Sequence, residues 1–172
     1  GRTGTLWGWQ ASGVKPDVMT LAKGLGGGVP IGALLAREEV CCFVPGDQGG
    51  TYNGNPLMCA VALAVLETVA APGFLAGVQA QGERLRAGLQ ALGQRLGSAP
   101  VSGRGLLLAL DLPGIDAAAL AETLRQRASA DGAQAGLLVN PVRAQRLRLI
   151  PALNIETAEV DEALAMLREA LA

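Results

Sequence analysis

Apolar and polar positions divide the chain into a first part of continuous apolar runs and a second part with periodic patterns. In the first part, short apolar runs at 17–22 and 31–36 predict strands, the first of them buried. A longer run follows Asn55 and Pro56 and predicts a helix, since asparagine caps helix N-termini and proline suits the first helical position. This helix is apolar on nearly every face, so we expect protein to enclose it on all sides.

The second part follows Ala71-Pro72-Gly73, which we interpret as a domain boundary. Leucine and valine recur mostly every three or four residues over 74–96 and predict an amphipathic helix that packs on a sheet. The remaining patterns predict a strand at 106–110, a helix at 116–130, strands at 137–140 and 147–150, and a helix at about 158–171. The order β-α-β-β-α is typical of a small α/β sandwich.

Composition narrows the class of function. Half of the 172 residues are hydrophobic and 17% are charged, which allows a sizeable core. The net charge of −1 argues against nucleic acid as the main partner, and the longest apolar stretch, 57–66, is too short to span a bilayer. The sequence has no histidine, so a histidine triad, proton shuttle or metal site is excluded within these residues.

The three cysteines are Cys41, Cys42 and Cys59. Adjacent cysteines rarely pair with each other, and no zinc-ligand spacing is present. We therefore expect free thiols, buried or half-buried, in a reducing compartment such as the cytoplasm.

Lys23 is the most informative residue, because it stands between an apolar run and the glycine-rich segment 24–28. At the end of a buried strand, desolvation favours a free, nucleophilic amine, which Schiff-base chemistry with an aldehyde requires. A lysine that extends from a loop into solvent is the alternative. The glycines match neither nucleotide-binding pattern: Val29 stands where the Rossmann pattern needs glycine, and the P-loop lysine follows its turn.

Two further places carry candidate binding groups. Residues 49–56 combine glycine backbone, the Thr51 hydroxyl and a helix start, which favour an anion such as phosphate, although an ordinary capped helix entry fits as well. A reactive lysine and a phosphate-suited loop are what a pyridoxal phosphate enzyme needs. Arg148 lies in an apolar strand, either half-buried against a carboxylate or on an exposed basic edge with Arg143 and Arg146.

At these residues the chain resembles the class III (ornithine-type) pyridoxal phosphate aminotransferases. The matching segments, in the family's order, are 1–4, 13–17, 21–33, 51–56 and 147–151. The resemblance implies an α/β fold, the C-terminal part of the type I pyridoxal phosphate-dependent transferase fold. It places the end of the large, cofactor-binding domain at 1–72 and a small α/β domain at 73–172.

The resemblance also implies roles for individual residues. Lys23 is expected to hold the cofactor, pyridoxal 5′-phosphate, and to move the proton during catalysis. Thr51 is expected to bind the cofactor phosphate of the other subunit in a homodimer. Arg148 is expected to hold a substrate carboxylate. Gly50 lies in the substrate-binding region where relatives often carry serine, and Asn53 replaces a usual glycine.

The family's aspartate at the pyridine nitrogen, its ring-stacking aromatic residue and a second substrate arginine belong to an upstream half that these residues do not include. We therefore expect little or no transaminase activity from the 172 residues alone, and exposed apolar faces that favour aggregation. The expected partners are amino-acid and 2-oxo-acid substrates and a second copy of the chain, with neither nucleic acid nor membrane.

The segment 29–33 favours N-acetylornithine as amino donor, with 2-oxoglutarate as acceptor. Succinylornithine, ornithine and 4-aminobutyrate remain alternative donors within the same fold. From a different class, the chain is alternatively a non-catalytic α/β binding or dimerisation module.

Overall fold

The computed structural model describes residues 1–127 and 135–172. The chain forms two compact units, Trp9–Phe74 and Gly1–Gly8 together with Leu75–Ala172. The assignment of residues 1–72 and 73–172 to the two domains of a longer enzyme stays a prediction.

The unit Trp9–Phe74 contains a two-stranded antiparallel sheet and one long helix. Its regular elements are β1 (Val18–Leu21), β2 (Ala33–Ala36) and α1 (Pro56–Ala70). Helix α1 begins as predicted, because the Asn55 side chain accepts hydrogen bonds from the backbone N–H groups of Leu57 and Met58 at 3.1 and 3.3 Å.

The predicted burial of this unit is wrong. Every residue of β2 is exposed, and β1 alternates between exposed and half-buried positions. In α1, Ala62 is buried, whereas Leu57 and Leu63 are 65% and 57% exposed. The three thiols are free as predicted, but all of them are exposed. The physical reason is that two strands and one helix offer too little surface to cover one another.

The second unit contains a sheet in the order β3-β4-β6-β5 and helices that share its core. Its described elements are α2 (Phe74–Arg95), β3 (Ser102–Arg104), β4 (Leu107–Asp111), α3 (Ala117–Arg125), β5 (Asn140–Arg143), β6 (Arg146–Leu149) and α4 (Thr157–Ala170). Within the described ranges, no single helix is long and apolar enough to cross a membrane; α1 and α2 pass that test only as a bent pair.

Leucine side chains fill the core of the second unit, which confirms the predicted amphipathic stripe over 74–96. On β4 and β6 buried leucines alternate with more exposed residues, and register sets Leu108 opposite Leu149 and Leu110 opposite Leu147. From α2, Leu85, Leu89 and Leu92 are buried in the same core. The second unit is therefore the predicted α/β sandwich, in which helices cover one face of the sheet.

Three details of this unit differ from prediction. The observed order is β-β-α-β-β-α, because β3 was missed: its sequence Ser102–Arg104 has no apolar alternation and forms a strand by pairing with β4. Strand β5 begins at Asn140 rather than at 137, and Pro141 is tolerated there because β5 is an edge strand. Helix α3 ends at Arg125; residues 128–130 of the predicted helix lie outside the described residues.

Hydrogen bonds from side chains to backbone carbonyls connect the first eight residues to the rest of the second unit. The Arg2 guanidinium donates to the carbonyls of Leu106 and Pro151 at 3.2 and 2.5 Å. The Gln79 side chain donates to the Gly4 carbonyl at 2.6 Å. Partial burial without an acidic partner lowers the pKa of Arg2. These bonds hold the first segment to the end of the sheet.

Candidate active site

Lys23 follows β1 in a 3₁₀ turn, Lys23–Gly26, with an unusual backbone conformation. Its φ is +52°, and among the described residues it is the one non-glycine with a positive φ. The left-handed region costs an L-residue about 1–2 kcal/mol. Backbone strain of this kind concentrates at functional sites, so the geometry supports a functional role for Lys23. The sequence carried no signal for this feature.

Backbone hydrogen bonds fix the turn that contains Lys23. The N–H of Leu25 donates to the Ala22 carbonyl at 3.1 Å, and the N–H of Gly27 donates to Gly24 at 3.3 Å. A further bond of 3.1 Å runs from the Val29 N–H to the carbonyl of Gly26. The segment is therefore an ordered turn rather than a flexible linker, and it holds the lysine backbone in one conformation.

The glycines of this turn are required by close packing. A Cβ on Gly26 would lie 2.8 Å from Ile31 Cγ2, and a Cβ on Gly27 would lie 2.9 Å from Val65 Cγ2 on α1. Gly27 also has φ +59°, a conformation that L side chains rarely adopt. The turn therefore packs directly on α1, which is possible because glycine has no side chain.

The side chain of Lys23 is exposed, so the predicted burial of this residue is wrong for the described chain. The reason is that β1, which precedes it, is itself only half-buried. Lys23 lines an open cleft of about 460 Å³ with Gly24, Gly28, Val29, Pro30 and Ile31. An amine in this position is accessible to an aldehyde that enters the cleft.

Gly50 and Thr51 lie in an exposed turn that leads into α1. The Asn53 N–H donates to the Gly50 carbonyl at 3.1 Å, and a Cβ on Gly50 would lie 2.8 Å from Asn53 Nδ2. Because the Asn55 side chain already accepts from two N–H groups of the first helical turn, an anion here would rely on the Thr51 hydroxyl and the turn backbone. Thr51 does not line the cleft formed by residues 23, 24 and 28–31.

Arg148 belongs to the other unit, and none of the described residues pairs with its guanidinium. It is exposed on β6 between buried Leu147 and Leu149, and β6 lies inside the sheet, so Arg148 is not on a sheet edge. Neighbouring Arg146 is engaged, with Asp111 at 3.4 Å and with the Ser102 hydroxyl. With the described residues Arg148 forms neither an ion pair nor a side-chain hydrogen bond, so its guanidinium is free for a carboxylate.

The chain has the fold of the C-terminal part of the pyridoxal phosphate-dependent aminotransferases, because solved structures of that class superpose on it. Ornithine δ-aminotransferase of Plasmodium falciparum covers 99% of the chain at 29% identity with a TM-score of 0.86. N-acetylornithine aminotransferase of Stenotrophomonas maltophilia covers 99% at 40% identity with a TM-score of 0.76. The chain covers 44% and 43% of those two structures.

The family profile Aminotransferase class-III matches residues 1–171, and the chain belongs to this family. It is 51% identical over 171 residues to acetylornithine aminotransferase of Ralstonia nicotianae and 42% identical over 172 residues to that of Caldanaerobacter subterraneus. Each alignment covers 99% of this chain and 42% of the relative. The chain therefore spans less than half the length of these relatives.

Pyridoxal phosphate is the cofactor that membership of this family implies, and the described residues fit it. Lys23 offers an accessible amine on an open cleft, which suits the aldehyde of the cofactor. Gly24 and Gly28 line the same cleft, and a Cβ on either would meet nothing within 4 Å. The Thr51 hydroxyl and the surrounding backbone are suited to a phosphate group.

The roles of Lys23, Gly50, Thr51 and Arg148 stay predictions. Reasoning from the sequence missed one polar residue beside Arg148, namely Asn140, which lies directly opposite it in the sheet. The position of Asn140 opposite Arg148 follows from the register of β5 and β6. The sequence pattern predicted a strand that ends at residue 140, where β5 in fact begins.

Proposed function

We propose that this chain is the C-terminal part of an acetylornithine aminotransferase, which transfers the amino group of N-acetylornithine to 2-oxoglutarate in arginine biosynthesis. The observation that carries the proposal is Lys23 in a strained backbone conformation on an open, glycine-lined cleft. The curated relatives with the name acetylornithine aminotransferase, at up to 51% identity, support this choice of substrate.

In this proposal Lys23 is the catalytic residue. Its ε-amine would hold the cofactor through the aldehyde group and, once released by the substrate amine, would move a proton to and from the substrate carbon that bears the amino group. The hydrogen-bonded turn fixes the Lys23 backbone beside the cleft, which reduces the conformational freedom that must be lost before proton transfer. When bound, pyridoxal phosphate supplies the electron sink for the reaction.

The other candidate residues bind and orient. Arg148 holds a substrate carboxylate, because a free guanidinium matches a carboxylate with two parallel hydrogen bonds. Thr51 donates its hydroxyl to a cofactor phosphate, which in a homodimer belongs to the other subunit. Gly50 leaves the side of this turn without a side chain, and the Asn53 amide occupies that space.

The 42% coverage of relatives supports a further part of the proposal, that the active enzyme contains an upstream region with additional cofactor contacts. The 172 residues alone are then expected to be inactive. The exposed apolar side chains of β2 and α1 fit this expectation, because a larger domain would cover them.

A second candidate is an ornithine aminotransferase, because the solved structure with TM-score 0.86 has that name. The test uses the full-length protein that carries this chain, with N-acetylornithine, N-succinylornithine, ornithine or 4-aminobutyrate as donor and 2-oxoglutarate as acceptor. The proposal expects the highest kcat/KM with N-acetylornithine. A preference for ornithine would support the second candidate, and no turnover with any donor would support a non-catalytic module.

A further inference from the structure

Arg2 supplies hydrogen bonds at the end of the β4–β6 pair, where the ladder between these two strands stops. The register that sets Leu108 opposite Leu149 brings Leu106 opposite Pro151 when it is continued along the strands. Proline has no N–H group, so Pro151 cannot donate to the carbonyl of Leu106. The Arg2 side chain replaces the missing donor, because its Nη1 donates to the carbonyls of Leu106 and Pro151 at 3.2 and 2.5 Å.

The backbone of Arg2 is fixed to the same end of the sheet. The N–H of Leu106 donates to the Arg2 carbonyl at 3.1 Å, so Leu106 is joined to Arg2 through both of its backbone groups. The adjoining Gly105 packs so closely on this segment that a Cβ there would lie 2.5 Å from the carbonyl carbon of Thr3. The Arg2 side chain therefore extends from a fixed backbone, which favours its contact with Pro151.

Pro151 follows β6 closely, and β6 carries Arg148. The buried Leu147 and Leu149 hold the core face of this strand, whereas Arg148 lies on the opposite face. Because a strand end that frays releases the residues next to it, the bond from Arg2 to Pro151 limits movement of the Arg148 backbone. A contact of two parallel hydrogen bonds between a guanidinium and a carboxylate depends on the direction of the guanidinium plane.

We propose that Arg2 is a positioning residue, which fixes the end of β6 so that Arg148 meets a substrate carboxylate in one orientation. Arg2 acts through Arg148 and does not touch the substrate. The inference rests on the proposed function, namely on the role of Arg148 in binding a carboxylate. It adds to that binding step a residue from the other end of the sequence.

Steady-state kinetics of the full-length enzyme test the proposal, with N-acetylornithine as donor and 2-oxoglutarate as acceptor. Arg2→Met removes both hydrogen bonds, and we expect KM for 2-oxoglutarate to rise about 10-fold while kcat changes little. Arg2→Lys should restore most of the wild-type KM, because both bonds come from a single nitrogen and an ammonium group can donate to two carbonyls.

Arg86→Met is the matched control for a loss of stability alone. Arg86 also donates to two backbone carbonyls, those of Val101 and Gly103, at 2.9 and 2.7 Å. Gly103 belongs to β3, which pairs with β4 and not with β6. Arg86→Met should therefore lower Tm, as Arg2→Met does, but leave KM for 2-oxoglutarate unchanged.

A double-mutant cycle measures whether Arg2 acts through Arg148. Arg2→Met should raise KM much less in the Arg148→Gln background than in the wild type, because the guanidinium that Arg2 positions is then gone. An equal rise in both backgrounds, or an unchanged KM in Arg2→Met, would overturn the proposal. The same rise in Arg2→Met and Arg86→Met would also overturn it, because stability alone would then explain the effect.

Hydrogen exchange distinguishes this failure from failure of the proposed function. Backbone amides at 147–150 should exchange faster in Arg2→Met than in the wild type or in Arg86→Met. No turnover of any donor by the wild type would refute the proposed function. In that event exchange still decides whether Arg2 fixes the strand, and equally slow exchange at 147–150 in Arg2→Met and the wild type would show that it does not.

Discussion

Gly27→Ala is the perturbation that most directly tests how the turn at Lys23 is built. The new Cβ would lie 2.9 Å from Val65 Cγ2, and the residue would keep a φ of +59°. The left-handed backbone costs an alanine about 1–2 kcal/mol. Overpacking of this kind adds about 1–3 kcal/mol, so we expect the free energy of unfolding to fall by about 2–5 kcal/mol.

The same turn offers matched controls that separate the two contributions. A Cβ on Gly28 meets nothing within 4 Å, but its φ is +128°, so Gly28→Ala measures backbone strain alone. Gly24 has neither a close neighbour nor a left-handed φ, so Gly24→Ala should change stability little. Val65→Ala in the Gly27→Ala background should relieve the steric part, which a double-mutant cycle measures.

The assays are urea denaturation of the full-length protein and titration with pyridoxal phosphate followed by absorbance. Gly27→Ala is expected to weaken cofactor binding as well, because the turn can accommodate the methyl group only by shifting Lys23 or α1. If Gly27→Ala were as stable as Gly24→Ala and bound the cofactor equally well, the described packing of the turn on α1 would be wrong.

Three further changes have expected outcomes. Asn55→Ala should reduce the free energy of unfolding by about 1 kcal/mol, because alanine removes the side chain that caps α1, whereas Asn55→Asp keeps an acceptor and should not. Urea denaturation measures both variants, and equal stabilities would show that Asn55 does not cap the helix. The hydrogen bond from the Arg84 guanidinium holds the pKa of Asp161 below its usual value, so the stability that this carboxylate contributes is lost as pH falls through the lowered pKa. Wild-type Tm should therefore drop more steeply in acid than that of Asp161→Asn, and parallel curves would refute the coupling. Arg148→Gln should raise KM for 2-oxoglutarate by about 10- to 100-fold, because a charged hydrogen-bond donor to the carboxylate is lost, whereas Arg143→Gln serves as the control and should leave KM unchanged. If steady-state kinetics gave the same KM for Arg148→Gln and the wild type, Arg148 would not belong to the substrate site.

Local signals predicted much of the fold. Asn55 and Pro56 fixed the start of α1, and the leucine stripe predicted α2 to within a residue. Each depends on contacts between neighbours in sequence or on one helix face. Strand β3 could not be found in this way, since Gly103 and Arg104 become strand only by pairing with β4, and Arg86 supports them by donating to the Gly103 carbonyl at 2.7 Å.

Burial was harder to predict than element type. An apolar run such as α1 shows that its residues are suited to a core, but not which part of a molecule covers them. Within the unit Trp9–Phe74 little covers them, so Leu63 on α1 and Lys23 in the turn after β1 are more exposed than their sequence indicated. For the candidate site, residue type led to the predictions for Lys23 and Arg148, whereas the positive φ of Lys23 and the pairing of Asn140 with Arg148 depend on tertiary structure.

Labelling of the lysines tests directly whether the amine of Lys23 reacts with pyridoxal phosphate. Lys15 is the other lysine of this sequence and serves as an internal control. The full-length protein is incubated with the cofactor, reduced with borohydride and digested, and the peptides are mapped by mass spectrometry. We expect a pyridoxyl group on Lys23 that is absent from Lys23→Ala and retained in Lys15→Ala. A pyridoxyl group on Lys15 with Lys23 unmodified, or no modification at all, would contradict it.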